Sequence, residues 1–401
     1  MRNTPVGYNL SADRLISKGS GARAEAGMAT KNSMFQKTIF IVAPGGAVGG
    51  GMGRVKDYML EASLSPTPYR FEALITRDDR GHAFSLLLVV WAILRIGWAA
   101  MRGRAALVHV HFGDKGSSLR KSLVILGARL FGVKTILHLH TTLQHRYAAS
   151  GALYRFALRL PFLAASSIIA LGKDWRDWLV ETLKLPPEKI DILYNGVPVI
   201  APESREKHEN PSLVFIGNYS RNKGAHDIIT ALGMIKAAHP RLRAVLAGGG
   251  DSAPYQAMAG KNGTRDIITF KGWLDQEGVQ AAILAADILV LPSCHEVLPL
   301  VILEALGLGT PVLCTPVGVI PEVLRDGETA LFTPPGNPER LSMAIARLLE
   351  DEALRQRLSQ NGMKLFNEKF SLDAFHANLF ALYRRRYLPD LVIEPSQRNA
   401  P

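Results

Sequence analysis

One stretch constrains this chain more than any other: a buried strand that runs, through a short acidic loop, into a helix with nothing to cap it. Ala286–Ser293 (ADILVLPS) is a short apolar run closed by Pro292 and Ser293, which reads as a buried strand. The helix VILEALGLG follows. Pro299 suits its first position, where a missing N–H costs nothing, and Gly307 and Gly309 end it. Position 298 is Leu, so no side-chain cap uses up the free amides. An uncapped helix start at a strand's carboxyl end is a good place for phosphate. Glu304 stands five residues past Pro299, about 7.5 Å along the axis at the α-helical rise. That is close to the separation of diphosphate and ribose in one nucleotide, and a carboxylate there can accept from two vicinal hydroxyls. Glu296, on the other side of the helix start, can reach the group beyond the diphosphate. A lone glutamate is ordinarily a solvated charge, but Glu304 is flanked by Val301, Ile302, Leu303, Ala305 and Leu306, where an unpartnered charge is costly.

The same residues resemble the signature of family 4 retaining glycosyltransferases. In that family a Glu-x7-Glu pair is followed by EA-x-x-x-G-x-PV and VG-x-IPE. This chain has Glu296 and Glu304, Glu304-Ala305, Gly309, Thr310-Pro311-Val312 and Val317-Gly318-Val319-Ile320-Pro321-Glu322. It departs at Val297 and Val319, where the family usually has Gly; Val297 is expected to narrow the donor-sugar pocket.

The 401 residues are 47% hydrophobic and 20% charged, which suits two domains, each with its own core. The two cysteines, Cys294 and Cys314, give no disulfide framework or paired-cysteine zinc motif and fit a reducing cytoplasm. The net charge of +12 is uneven. Residues 1–200 hold 26 Lys+Arg against 13 Asp+Glu, and residues 201–401 hold 21 against 22. A basic half faces an anionic partner. With no zinc-finger spacing or RNA-binding signature, nucleic acid is set aside for an anionic membrane surface and a lipid-phosphate acceptor.

Residues 1–35 are polar, lack periodicity and contain no secretory apolar run; they read as a disordered tail, with Met34 as an alternative start. Domain one is expected over 36–200 and domain two over 211–370, with a polar linker at Ala201–Asn210 and a closing helix at 371–387 able to pack back on domain one. The first strand, Lys37–Ala43, enters the glycine stretch Pro44–Arg54 and then a helix through Leu64, a phosphate-binding layout in doubly wound folds. Tight turn and ligand loop are equal readings of these glycines; in the resembled family this loop faces the cleft, which singles out Gly50 and Gly51. Ala83–Met101 is the most apolar run, long enough to span a bilayer. Arg95 inside it would cost roughly 2.5–3.5 kcal/mol on insertion, favouring a helix laid on the first sheet or on a membrane surface. A strand at Ala106–Gly113, a helix at Leu123–Phe131 and a strand at Thr135–Leu139 follow. The family has a histidine facing the reacting centre at the "LHLHT" position, which is His140, with His138 as the alternative two residues earlier. The strand Ser166–Gly172 ends in Gly172 where the family commonly has Ser. Lys189–Val199 matches the family's domain-closing strand.

In domain two the family's "VGR-x-x-x-x-KG" is met by Lys223 and Gly224 but has Asn218 at the Arg position, with Arg221 in the same loop able to compensate. Ile268–Leu274 resembles the "V-x-F-x-GW" strand whose backbone borders the nucleobase, which singles out Gly272 and Trp273. The resemblance covers residues 37–387 and is strongest over 213–335.

Alternation of strands and helices in both halves argues for an α/β chain of two doubly wound domains, and the resemblance implies the GT-B architecture. It also implies a retaining transfer of a sugar from a nucleotide-diphosphate donor to a glycan acceptor, as in bacterial exopolysaccharide glycosyltransferases. The acceptor is expected to be linked to a polyprenyl diphosphate, and the enzyme peripheral on the inner face of the cytoplasmic membrane. In role terms, Lys223 and the amides of the Leu298, Pro299, Leu300 and Val301 segment neutralise the leaving diphosphate. Glu304 holds the ribose, Glu296 binds donor-sugar hydroxyls, and His140 orients donor or acceptor. No aspartate has another two residues away, so no metal and no cofactor are expected. A nucleotide-sugar epimerase of the same fold and a catalytically silent sugar- or membrane-binding scaffold are the alternatives.

Overall fold

The computed structural model describes residues 36–45, 50–61, 67–78, 80–113, 116–199 and 210–391. The 1–35 tail, glycine-loop positions 46–49 and linker positions 201–209 lie outside them.

Two six-stranded, wholly parallel sheets carry the molecule. The first has β1 (Lys37–Ala43), β2 (Tyr69–Ile75), β3 (Ala105–Phe112), β4 (Thr135–Leu139), β5 (Ser167–Ala170) and β6 (Ile190–Ile192). Its order is β2-β1-β3-β4-β5-β6. The second has β7 (Ser212–Ile216), β8 (Arg243–Ala247), β9 (Ile268–Lys271), β10 (Ile288–Leu291), β11 (Val312–Cys314) and β12 (Leu331–Phe332), in the order β12-β11-β10-β7-β8-β9. Strands buried on both faces must be apolar throughout, as FIVA in β1 and ILVL in β10 are. Each sheet reverses its winding once, between β1 and β3 and between β7 and β10. Ligands of such sheets bind in the crevice outside those carboxyl ends.

The helices of the first half are α1 (Gly50–Glu61), α2 (His82–Met101), α3 (Gly116–Leu130), α4 (Gln144–Ala148), α5 (Ala152–Ala164) and α6 (Lys173–Glu181). Those of the second are α7 (Ala225–Ile235), α8 (Ala253–Lys261), α9 (Gln276–Leu284), α10 (Leu300–Gly307), α11 (Ile320–Val323), α12 (Pro338–Glu350), α13 (Glu352–Lys369) and α14 (Leu372–Arg386). Two helices of the first half differ from the sequence expectation. The described part of helix α1, Gly50–Glu61, already includes Gly50, Gly51 and Arg54, which were expected in the loop; its expected end at Leu64 lies outside the described residues. Helix α3 already includes Gly116, well before Leu123, and its polar first turns bond within the helix: Lys121 Nζ donates to Ser117 Oγ (2.8 Å) and Ser122 Oγ to the Ser118 carbonyl (2.7 Å).

The apolar helix α2 lies along the first sheet with Val89, Ala92, Ile96 and Ala99 buried. Arg95 leaves this apolar surface to pair with Glu72 of β2 at 2.6 Å. After the second sheet the chain returns to the first. Val197 bridges Ser371, and α14 then sets Phe380 edge-on to Phe71 of β2 (6.1 Å) and the Tyr383 hydroxyl 2.8 Å from His109 Nδ1 of β3. Arg386 grips Asp191 through two bonds (2.9 and 3.0 Å), the planar fork that guanidinium makes with carboxylate.

Candidate active site

The reversal point of the second sheet brings two sequence-distant loops together. After β7 a short 3-10 turn, Arg221–Lys223, delivers the chain to Gly224 in the left-handed region (φ 75). A Cβ there would collide with the Pro292 carbonyl at the end of β10, so only glycine lets the two strand ends approach. That approach puts Lys223 Nζ 2.5 Å from Glu296 Oε1, which also accepts from Ser293 Oγ (2.8 Å). Gly318 plays the same part from the other side. Its φ of 61 and its contact with the Glu296 carbonyl admit no side chain, and Val319 N donates to the Val297 carbonyl at 2.9 Å. The VGVIPE turn is therefore the floor under the Glu296 loop.

Helix α10 starts at Leu300, one residue later than expected. Pro299 is extended (ψ 128) and acts as the N-cap residue, with no side chain capping the helix. Having no N–H, Pro299 cannot donate, which corrects its place among the expected amide donors; Leu300 and Val301 supply the first helical amides. One turn further on, Glu304 is wholly buried. Its Oε1 accepts from Arg54 Nη2 of α1 at 2.8 Å, across 250 residues of sequence. Its Oε2 is buried with no hydrogen-bond partner among the described residues. Burial raises the Glu304 carboxyl above its ordinary value, and the Arg54 guanidinium pulls it back. Arg54 is the cavity-lining partner of Glu304 that the sequence reading passed over; its only local signal is a cation in the helix turn that follows the glycines.

Gly50, Gly51 and Arg54 form one wall of a cavity of about 440 Å³, whose other wall includes Asn218, Gly248 and Trp273. Trp273 is 68% exposed and lines that cavity, and the Gly272 carbonyl accepts from Gly248 N (3.1 Å). Arg221 is exposed and is not part of that cavity wall. A Cβ on Gly51 would lie 3.8 Å from Leu300 Cδ1, so the glycine-rich helix start sits beside the start of α10.

His140 follows β4 and belongs to a four-histidine cluster. The register pairs His111 with His138, and the two-residue period puts His109 and His111 on the face shared by His138 and His140. His111 Nδ1 lies 2.8 Å from His140 Nε2, and His109 Nε2 lies 3.1 Å from His138 Nδ1. Burial pushes His109 and His140 down to about 3 and the other two far below the usual imidazole range. The cluster is thus neutral, and His140 turns one ring nitrogen inward to His111. Candidate ligand atoms of His109, His111 and His138 lie within 4.8 Å of one another; this is the group with metal-ligand chemistry among the described residues, and no carboxylate belongs to it.

A family model described as glycosyltransferase family 4 matches residues 64–200, and one described as glycosyl transferases group 1 matches residues 197–365. The chain is 27% identical over 353 residues to the alpha-D-kanosaminyltransferase of Streptomyces kanamyceticus, covering 82% of this chain and 89% of that one. It is 30% identical over 196 residues to the phosphatidyl-myo-inositol mannosyltransferase of Mycobacterium leprae, covering 47% of this chain and 51% of that one. Among solved structures, HepE of Anabaena in complex with UDP and glucose matches with a TM-score of 0.68 at 17% identity, covering 87% of this chain and 100% of that one.

The chain belongs to glycosyltransferase family 4. Its two sheets form the GT-B fold, and the departures of this glycosyltransferase from the family pattern are now interpretable. A Cβ at Gly172 would lie 2.7 Å from both Glu322 Oε2 and Val319 Cγ2. The side chain missing at 172 is matched by the one gained at 319: the two substitutions fill one space. The room at Gly172 also admits the Glu322 carboxylate, which accepts from Lys173 N at the start of α6 (2.6 Å) and from the Tyr194 hydroxyl (2.5 Å). The cation absent at Asn218 has a counterpart in Arg54 on the facing wall of the same cavity.

Proposed function

We propose that this glycosyltransferase moves a sugar from a nucleoside-diphosphate sugar to a lipid-linked glycan, retaining the anomeric configuration and using no metal. Its place is polysaccharide assembly at the inner face of the cytoplasmic membrane. The observation that carries the donor assignment is Glu304. A buried carboxylate oxygen without a partner is costly, and a ribose hydroxyl is the partner that a nucleotide would bring. The solved HepE complex contains UDP and glucose, and the mycobacterial relative is named for a lipid acceptor; both support the reading.

In this scheme the Lys223 ammonium leaves Glu296 for the diphosphate, joined by the Leu300 and Val301 amides, and Glu296 turns to hydroxyls of the donor sugar. The bond from the anomeric carbon to the diphosphate oxygen breaks with its electron pair on the phosphate. The acceptor hydroxyl forms the new bond on the same face, and its proton passes to the departing phosphate oxygen. His140 orients donor or acceptor as a neutral ring.

The test is an assay with nucleoside-diphosphate sugars in excess EDTA, with NMR coupling constants read on the fresh product. Activity with the donor's anomeric configuration is expected. Inversion, or loss of activity that magnesium restores, overturns the scheme. The ribose contact has its own test. A 2′-deoxyribose donor is expected to bind more weakly by about 1–3 kcal/mol, the cost of leaving a buried acceptor unpaired. Glu304→Ala should remove that discrimination. Discrimination that survives the substitution would take Glu304 out of the ribose site.

A further inference from the structure

We infer that helices α2, α3 and α5 form one membrane-seating face, inserted into the headgroup layer of an anionic leaflet with α2 lying in its plane. The inference gives a location to the membrane partner of the proposed function. It stands on a separate observation, the distribution of exposed apolar side chains. Among the described residues, 17 of the 21 large hydrophobic side chains left exposed fall between Leu86 and Leu163, which cannot be scatter. Leu87 (64%), Leu94 (63%), Leu130 (86%) and Leu153 (82%) are representative. Helix α2 is apolar around most of its circumference: one side packs on the sheet, and the other has no cover among the described residues. The three helices are contiguous. A Cβ on Gly97 of α2 would strike the Phe131 ring just beyond α3, and one on Gly127 of α3 would strike Ile93 of α2. Arg129 of α3 donates to the Ala164 carbonyl at the end of α5 (3.1 Å).

Charge selects the occupant. Residues 81–172 contain eleven Lys+Arg, of which Lys121 is buried and Arg95 is paired with Glu72, against one acid, Asp114, and α2, α3 and α5 contain no Asp or Glu. A surface that is apolar and cationic at once matches an anionic bilayer. At the carboxyl end of α2, Arg102 stacks over the Trp98 ring (3.8 Å), the pairing of aromatic ring and snorkelling cation that suits the headgroup level. A second copy of the chain fits badly, since a two-fold contact would set this cationic face against itself. A spanning α2 fits no better. It would have to abandon the sheet and expose Val89, Ala92, Ile96 and Ala99.

The experiment is sedimentation of the full chain with vesicles of phosphatidylcholine alone or mixed with phosphatidylglycerol. The double variant Leu87→Glu/Leu94→Glu is run beside it, and both proteins are checked for mass in solution without vesicles. Binding to the mixed vesicles is expected, weakened but not abolished by high salt because part of it is apolar. The double variant should bind at least about tenfold more weakly, since two leucines no longer leave water and two acids meet an anionic surface. The thermal shift given by a nucleoside-diphosphate sugar should be the same in both proteins. Equal vesicle binding by variant and wild type overturns the inference, as does a wild type that ignores vesicles while the variant converts a dimer to a monomer. A nucleotide-sugar shift absent from both proteins counts against the donor assignment and leaves the vesicle comparison intact.

Discussion

Lys223→Ala should lower turnover by roughly tenfold to a thousandfold, the range seen when one donor to a developing oxyanion is lost. The departing diphosphate would be left with helix amides and Arg54. The same change strips Glu296 of its cation, leaving an 8%-exposed side chain with Ser293 as its side-chain donor among the described residues, so stability should fall too. The two effects separate. Adding Glu296→Gln to Lys223→Ala should restore melting temperature but not turnover. Steady-state kinetics and thermal melts on the wild type and the two variants check this. Unchanged kinetics in Lys223→Ala would remove it from the chemistry.

Acid should unfold this protein steeply below neutrality. His109 and His140 are held near 3 by burial, while in the unfolded chain they titrate near the model value of 6.5. Between those values the unfolded state binds protons that the folded state refuses. Stability is therefore full above about pH 6.5 and falls as pH drops through it. Each such ring removes at most about 1.4 kcal/mol per pH unit between those values; His140, the more exposed, gives the smaller share, and His111 and His138, held lower still, act in the same direction. Denaturant melts from pH 7.5 to 5 should show the slope. His109→Gln, which keeps a polar group but cannot charge, should flatten it. A slope that His109→Gln leaves unchanged would place the acid sensitivity elsewhere.

The parts of this architecture visible in the sequence are those encoded over a few neighbouring residues. Apolar runs marked β1 and β10, the proline and glycines bracketed α10, and Lys223-Gly224 announced the turn after β7. What stayed hidden depends on tertiary approach. Arg54 looked like the end of a glycine loop, because nothing near it in sequence signals a carboxylate 250 positions away. The apparent losses at Gly172 and Val319 became one exchange only when two loops were seen to share a space. The helical start of α3 was masked by a polar run whose side chains bond back onto their own helix. The histidine cluster required the β3–β4 register, which local pattern does not fix.

The ion pairs Arg54–Glu304 and Lys223–Glu296 join the charged groups of the cleft to one another. Both glutamates proposed to meet the donor are already neutralised by a cation, and both cations are already occupied. On the proposed reading, a donor therefore enters by substitution rather than addition. A stray phosphate could take Lys223 only by stranding Glu296, and a free sugar could take Glu296 only by stranding Lys223. A molecule that carries a diphosphate next to hydroxyls releases the pair and satisfies both halves in one event. The cleft then works as a coincidence detector, passing over the abundant fragments of its ligand and responding to the intact molecule.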